Sequence, residues 1–144
     1  MSQRCRVLRF LRHLRRLVSP GPLGCQGERA AAAYLKKHGL QILERNVRRA
    51  HGEIDLVALE GSTLVFVEVK SRTCTDKELT GLEKIDRRKR AALRRASASY
   101  RKCAPRPVES YRLDAVTVEF EKGKLRRRVR AIRWYPAIAD LDEG

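Results

Sequence analysis

Three stretches of the chain place apolar residues at helical spacing, and five shorter ones alternate apolar and polar residues as strands do. Val7, Phe10, Leu11, Leu14, Leu17 and Val18 form the first helical stripe, which Ser19, Pro20, Gly21 and Pro22 break. A helix of strong propensity follows from Glu28, with Ala31, Ala32 and Leu35 as its buried stripe and Gly39 as its stop. The next pattern predicts strands at 42–48, 53–59 and 63–71, separated by Ala50, His51 and Gly52 and by Gly61 and Ser62. A second helix is expected over 82–102, where Ile85, Ala92, Leu93, Ala96 and Tyr100 make the stripe and Lys89 falls in its gap. Beyond Pro105 and Pro107, strands at 111–120 and 125–134 flank a turn at Glu121 to Lys124. The order α-β-β-β-α-β-β predicts an α/β domain, a mixed five-stranded sheet flanked by helices, over residues 23–136. Residues 1–22 then form a basic amphipathic arm and 137–144 a C-terminal tail.

Charge changes this picture by pointing outward. The chain has 144 residues, 33 Lys plus Arg against 17 Asp plus Glu, and a net charge of +16. The excess sits in blocks. Residues 1–27 carry six arginines and no acid, 84–102 nine basic residues against Asp86 alone, and 122–133 seven basic residues and no acid, whereas 28–82 are nearly neutral. Basic arms around a neutral middle fit a polyanion, chiefly nucleic acid, with Arg126, Arg127, Arg128 and Lys89 as candidate phosphate contacts. No apolar run approaches the roughly 20 residues of a membrane span, and no uninterrupted apolar segment suits a secretory signal. Cys5, Cys25, Cys74 and Cys103 lack metal-site spacing and read as reduced thiols, which fits a cytoplasmic protein. His13, His38 and His51 likewise show no ligand spacing and read as surface residues.

Candidate chemistry lies in the second and third strands. Phe66, Glu68 and Lys70 share one strand face while Val65, Val67 and Val69 form the other, the core face. If Gly61 and Ser62 are a two-residue II′ turn, facing residues sum to 123, so Asp55 opposes Glu68 and Glu53 opposes Lys70. The second pair is favourable. The first sets two carboxylates side by side, which a divalent cation with a taste for hard oxygen ligands, Mg²⁺ or Mn²⁺, would offset. Lys70 would then stand where negative charge develops on a phosphoryl oxygen. A solvated face with three ordinary charges remains the competing reading. Glu28 lies on the inner stripe at the start of its helix, where the helix dipole favours a carboxylate.

Gly27 and Glu28, Arg45 and Asn46, Gly52 to Leu56, Phe66 to Arg72, and Arg112 to Asp114, in that order, resemble the YraN-like family of small bacterial proteins over about residues 24–134. The resemblance implies a restriction-endonuclease-like fold, similar to the PD-(D/E)xK nucleases and to archaeal Holliday-junction resolvases. It further implies Asp55, Glu68 and the Val69 carbonyl as metal ligands, Lys70 as catalytic, and Glu28 reaching the site from the first helix. Ile54 departs from that pattern by replacing the signature proline. Asp114 matches a family position and reads as structural, a partner for Arg112.

The expected function is therefore a metal-dependent endonuclease acting on branched or single-stranded nucleic acid, DNA first, with a homodimer required to cut two strands. Two alternatives stand beside it. One is a non-catalytic nucleic-acid-binding module with the same fold. The other is a membrane-surface or partner adaptor acting through residues 4–18.

Overall fold

A computed structural model describes residues 23–49, 52–74, 87–104, 107–123 and 127–140. Helix α1 (Leu23–Lys37) leads into strands β1 (Gln41–Arg49), β2 (Gly52–Glu60) and β3 (Thr63–Thr73), then helix α2 (Arg87–Arg101) and strands β4 (Ser110–Phe120) and β5 (Val129–Asp140). The strands form one sheet in the order β1-β2-β3-β4-β5. Only β3 and β4 pair in parallel, and α2 lies in the connection between them. The expected element order and mixed sheet are both present. The N-terminal stripe lies outside the described residues, as do residues 82–86 of the expected second helix.

Each helix covers one face of the sheet. Ala31, Ala32 and Leu35 of α1 are fully buried against Leu56, Ala58, Val65, Val67, Val116, Val118 and Phe120. On the other face Leu93, Ala96 and Tyr100 of α2 close over Val47, Ile54, Val57, Phe66 and Leu113. The small side chains of α1 let its backbone lie close to the strands, and Gly27 takes this furthest. A Cβ on Gly27 would stand 1.6 Å from the Ser71 Oγ and 2.9 Å from its Cβ.

The β2–β3 hairpin follows the expected register: Glu60 faces Thr63 and Leu56 faces Val67. Gly61 has φ +58° while Ser62 stays at negative φ, the combination of a II′ turn. Two expectations are corrected at element ends. Helix α1 begins at Leu23, so Glu28 is past its first turn and the dipole no longer governs it. The last strand runs Val129–Asp140 rather than 125–134, taking in four residues assigned to the tail. Pro136 does not end it, because β5 is an edge strand and bulges there: Leu113 pairs with Ala139 and Ala115 with Tyr135, with Ala137 at φ +52° inside the bulge.

Candidate active site

The β2–β3 pairing ends at Leu56 and Val67, one step short of Asp55 and Glu68. The backbone chemistry explains the stop. In the same register Val69 would face Ile54, but its amide donates to Asp55 Oδ2 at 2.7 Å. The side chain thus takes a donor that the ladder would otherwise use. Asp55 and Glu68 meet where the two strands part. Since N–H and C=O of one strand residue point to the same side, the Val69 carbonyl also faces this opening.

Glu68 is 2% exposed, and two ammonium groups flank it: Lys70 Nζ lies 2.8 Å from Oε1 and Lys89 Nζ 3.3 Å from Oε2. Oε2 is buried without a hydrogen bond. The expected Glu53–Lys70 pair does not form. Past Leu56 the strands diverge, so Lys70 turns to Glu68 on its own strand and Glu53 pairs with Arg48 at 3.6 Å.

Asp55 is only partly exposed, and burial followed by the charge of Glu68 pushes its carboxyl up to about 7. Its hydrogen bond from Val69 and the charge of Lys89 pull the other way, and Glu28 adds to the rise. The Glu28 carboxyl is also raised, first by burial, with Glu53 and Glu68 contributing, against a side-chain hydrogen bond from Asn46 and the charge of Arg45. Glu28 therefore shares the electrostatic environment of Asp55 and Glu68. Among the described residues no three His, Cys, Asp or Glu side chains converge closely enough to form a ready-made metal cage.

Asn46 and Arg45, which received no role from the sequence, both act on the Glu28 carboxyl. Arg45 pairs with Leu56 and Val47 with Ile54, so Asn46 stands opposite Asp55, at φ +51°. Asparagine tolerates this left-handed conformation better than most residues, which is the signal that Asn46 offers. Lys89 reaches Glu68 from α2 while its side chain stays partly exposed. Arg127 and Arg128 are exposed where β4 passes to β5, near the Thr73–Phe120 row and three strand positions, about 10 Å, beyond Lys70. Arg126 lies outside the described residues. Asp114 is structural, fully buried and held by Arg112, Trp134 and the Ala137 amide. Among the described residues Cys25, Cys74 and Cys103 take part in no disulfide. His38 is exposed and stacks on Tyr34, and no described helix is long and apolar enough to cross a membrane.

A model of the uncharacterised protein family UPF0102 matches residues 27–118, a span that holds Gly27, Glu28, Asn46, Asp55, Glu68, Lys70, Lys89 and Asp114. A UPF0102 protein of Chlorobium chlorochromatii (strain CaD3) is 51% identical over 78 residues, 54% of this chain and 60% of the relative. One from Chlorobium phaeobacteroides (strain BS1) is 36% identical over 110 residues, 74% of this chain and 86% of the relative. One from Beutenbergia cavernae is 41% identical over 111 residues, 77% of this chain and 88% of the relative. On the family model and on relatives matched over most of their length, this chain belongs to the uncharacterised protein family UPF0102.

Proposed function

We propose that this chain is a divalent-metal-dependent nuclease that hydrolyses phosphodiester bonds in branched or single-stranded nucleic acid, with DNA as the first substrate class. The observation that carries this reading is the meeting of Asp55 and Glu68 with Lys70 at the parting of β2 and β3. A partly buried carboxylate beside a buried one is costly unless something positive joins them, and the rise of Asp55 to about 7 expresses that cost. The buried Glu68 Oε2, without a hydrogen bond, is a hard oxygen donor of the kind Mg²⁺ and Mn²⁺ select. Asp55, Glu68 and the Val69 carbonyl would hold such an ion. Bound there, it would supply Lewis acidity toward a phosphoryl oxygen and lower the pKa of a water.

The remaining work falls to the chain's own groups. Lys70, held 2.8 Å from Glu68, keeps an ammonium where negative charge grows on the phosphate. Glu28, its carboxyl raised by burial, holds a proton more readily than an ordinary surface acid, which suits a general acid–base group. Arg87, Arg88, Arg90, Arg94 and Arg95 are exposed on α2, the helix that also supplies Lys89, and suit contacts to a phosphate backbone. The element order together with Asp55, Glu68 and Lys70 matches the PD-(D/E)xK pattern, which supports the same chemistry. Cutting both strands of a branched substrate would require two copies of the chain.

The test is incubation with branched, flapped and single-stranded DNA and RNA in Mg²⁺, Mn²⁺ or EDTA. The parent should cleave at least one substrate only with metal, and Lys70→Ala should lose about 10²-fold or more in rate while binding almost as well. Equal cleavage by parent and variant would remove Lys70 from the mechanism. Binding without cleavage in any metal would favour the non-catalytic module.

A further inference from the structure

Glu68 has two oxygens, and in this structure each already has an ammonium neighbour. The two lysines are not equivalent. Lys70 is two residues along the same strand, so its backbone is fixed next to Glu68. Lys89 comes from the third position of α2, its side chain is 37% exposed, and its 3.3 Å approach leaves Oε2 without a hydrogen bond. Its contact is the weaker of the two and the one that a side-chain rotation can release. An ammonium and a divalent cation cannot both sit on that oxygen without strong repulsion.

We propose that Lys89 is a built-in counter-ion of the metal-free site: it occupies the Glu68 oxygen that a divalent cation needs, and it is displaced when the cation binds. The inference rests on the metal-dependent reading above and deepens it. It gives Lys89 two positions. Without metal its ammonium offsets a buried carboxylate that Lys70 alone compensates on one side only. With metal, the displaced ammonium remains at the solvent-facing edge of the site, within reach of an incoming phosphate. Metal and substrate binding then reinforce each other, because a phosphate gives Lys89 a new partner at the moment the cation takes the old one.

The experiment is a calorimetric titration of the full chain with Mn²⁺ alone, at pH 8 and without nucleic acid, for the parent, Lys89→Gln and Lys89→Arg. Lys89→Gln should bind Mn²⁺ about tenfold more tightly, the lower end for loss of a charge-assisted contact because Lys89 is partly solvated. Lys89→Arg keeps the charge and should stay near the parent. Melting in EDTA gives a second reading: Lys89→Gln should melt below the parent, and Lys89→Arg close to it. Equal or weaker Mn²⁺ binding by Lys89→Gln overturns the proposal, as does Lys89→Gln melting with or above the parent in EDTA. Binding by none of the three proteins overturns it too, since removal of the ammonium would have admitted nothing. The nuclease reading is judged apart, by metal-dependent cleavage and its loss in Lys70→Ala.

Discussion

Two buried acidic centres in one sheet, Asp114 and the Asp55–Glu68 pair, are built in opposite ways. Asp114 is fully buried and closed. Its Oδ1 accepts from Arg112 Nε and the Ala137 amide, both at 2.9 Å, and its Oδ2 from Arg112 Nη2 at 3.1 Å and Trp134 Nε1 at 2.9 Å. Each donor matches a lone pair, and the guanidinium supplies the opposite charge in fork geometry. Asp55 instead has one backbone donor and faces Glu68, while Glu68 retains a buried oxygen without a hydrogen bond. A sheet that can satisfy one carboxylate this fully leaves the other pair short of partners. A buried carboxylate oxygen without a hydrogen-bond donor is where ligand chemistry is expected, and full satisfaction is where architecture is expected.

The largest effect expected from this contrast is at the closed centre. Asp114→Ala leaves the Arg112 guanidinium without its two-pronged partner, and the Trp134 and Ala137 N–H groups without acceptors. Loss of one partner from a buried ion pair costs about 3–5 kcal/mol. In a domain of this size that lowers the melting temperature by roughly 10–15 °C. The bulge of β5 should loosen first, since Ala137 holds its left-handed conformation against Asp114. Hydrogen exchange localised to residues 129–140 would register it. A variant that melts with the parent would show that Asp114 is no structural clamp.

A smaller effect is expected where α1 delivers Glu28 to the open centre. Gly27→Ala pushes a methyl group into Ser71, and overpacking of this kind costs about 1–3 kcal/mol. Ser71 Oγ is itself buried without a partner, so Ser71→Gly removes the obstruction and strands no hydrogen bond. The double variant should therefore lose less stability than the two single losses added together, measured as a double-mutant cycle by denaturant unfolding. Additive losses would mean that α1 does not rest on Ser71.

The contrast also shows which parts of the site sequence can reveal. Side-chain alternation and a two-residue turn suffice to set Asp55 against Glu68, because register in a short hairpin is a local property. The inner stripe of α1 is legible for the same reason. The partner of Lys70 is not, because the strands part when the Asp55 side chain captures the Val69 amide, and no spacing rule contains that event. Lys89 falls on the inner face of its helix in the sequence pattern, but its meeting with Glu68 depends on how α2 docks across the sheet. The end of β5 is hidden by Pro136, which a bulged edge strand accommodates and a periodicity reading treats as a stop. Asparagine adopts positive φ readily, but nothing local says that β1 needs such a residue opposite Asp55.

The smallest effect is the most discriminating, because its expected sign is unusual. Asp55→Asn keeps an oxygen to accept from Val69, removes a charge facing Glu68 and adds an amide N–H that can donate to it. In EDTA at pH 8 the variant should melt at or slightly above the parent, whereas most substitutions destabilise. The pH dependence follows from the raised carboxyl. In the unfolded chain Asp55 loses its proton near 3.8, and in the folded protein it holds that proton up to about 7. Between those values the folded state binds more protons than the unfolded one, so this group makes stability fall as pH rises, with the full penalty present above about 7. Glu28, also raised, adds a slope of the same sign. Glu119 is lowered, chiefly by its hydrogen bond from Arg72, so its stabilisation fades only when pH falls through its depressed folded-state range, outside a scan from pH 5 to 8. The difference in melting temperature, variant minus parent, should therefore grow with pH across that scan in EDTA. Saturating Mn²⁺ should reverse the order at pH 8, since an ion at 100 times its dissociation constant stabilises the parent by about 2.7 kcal/mol and the variant has lost a ligand. A difference that stays flat with pH would mean that Asp55 is ionised and at ease in the folded protein, and the open centre would then be no more strained than the closed one.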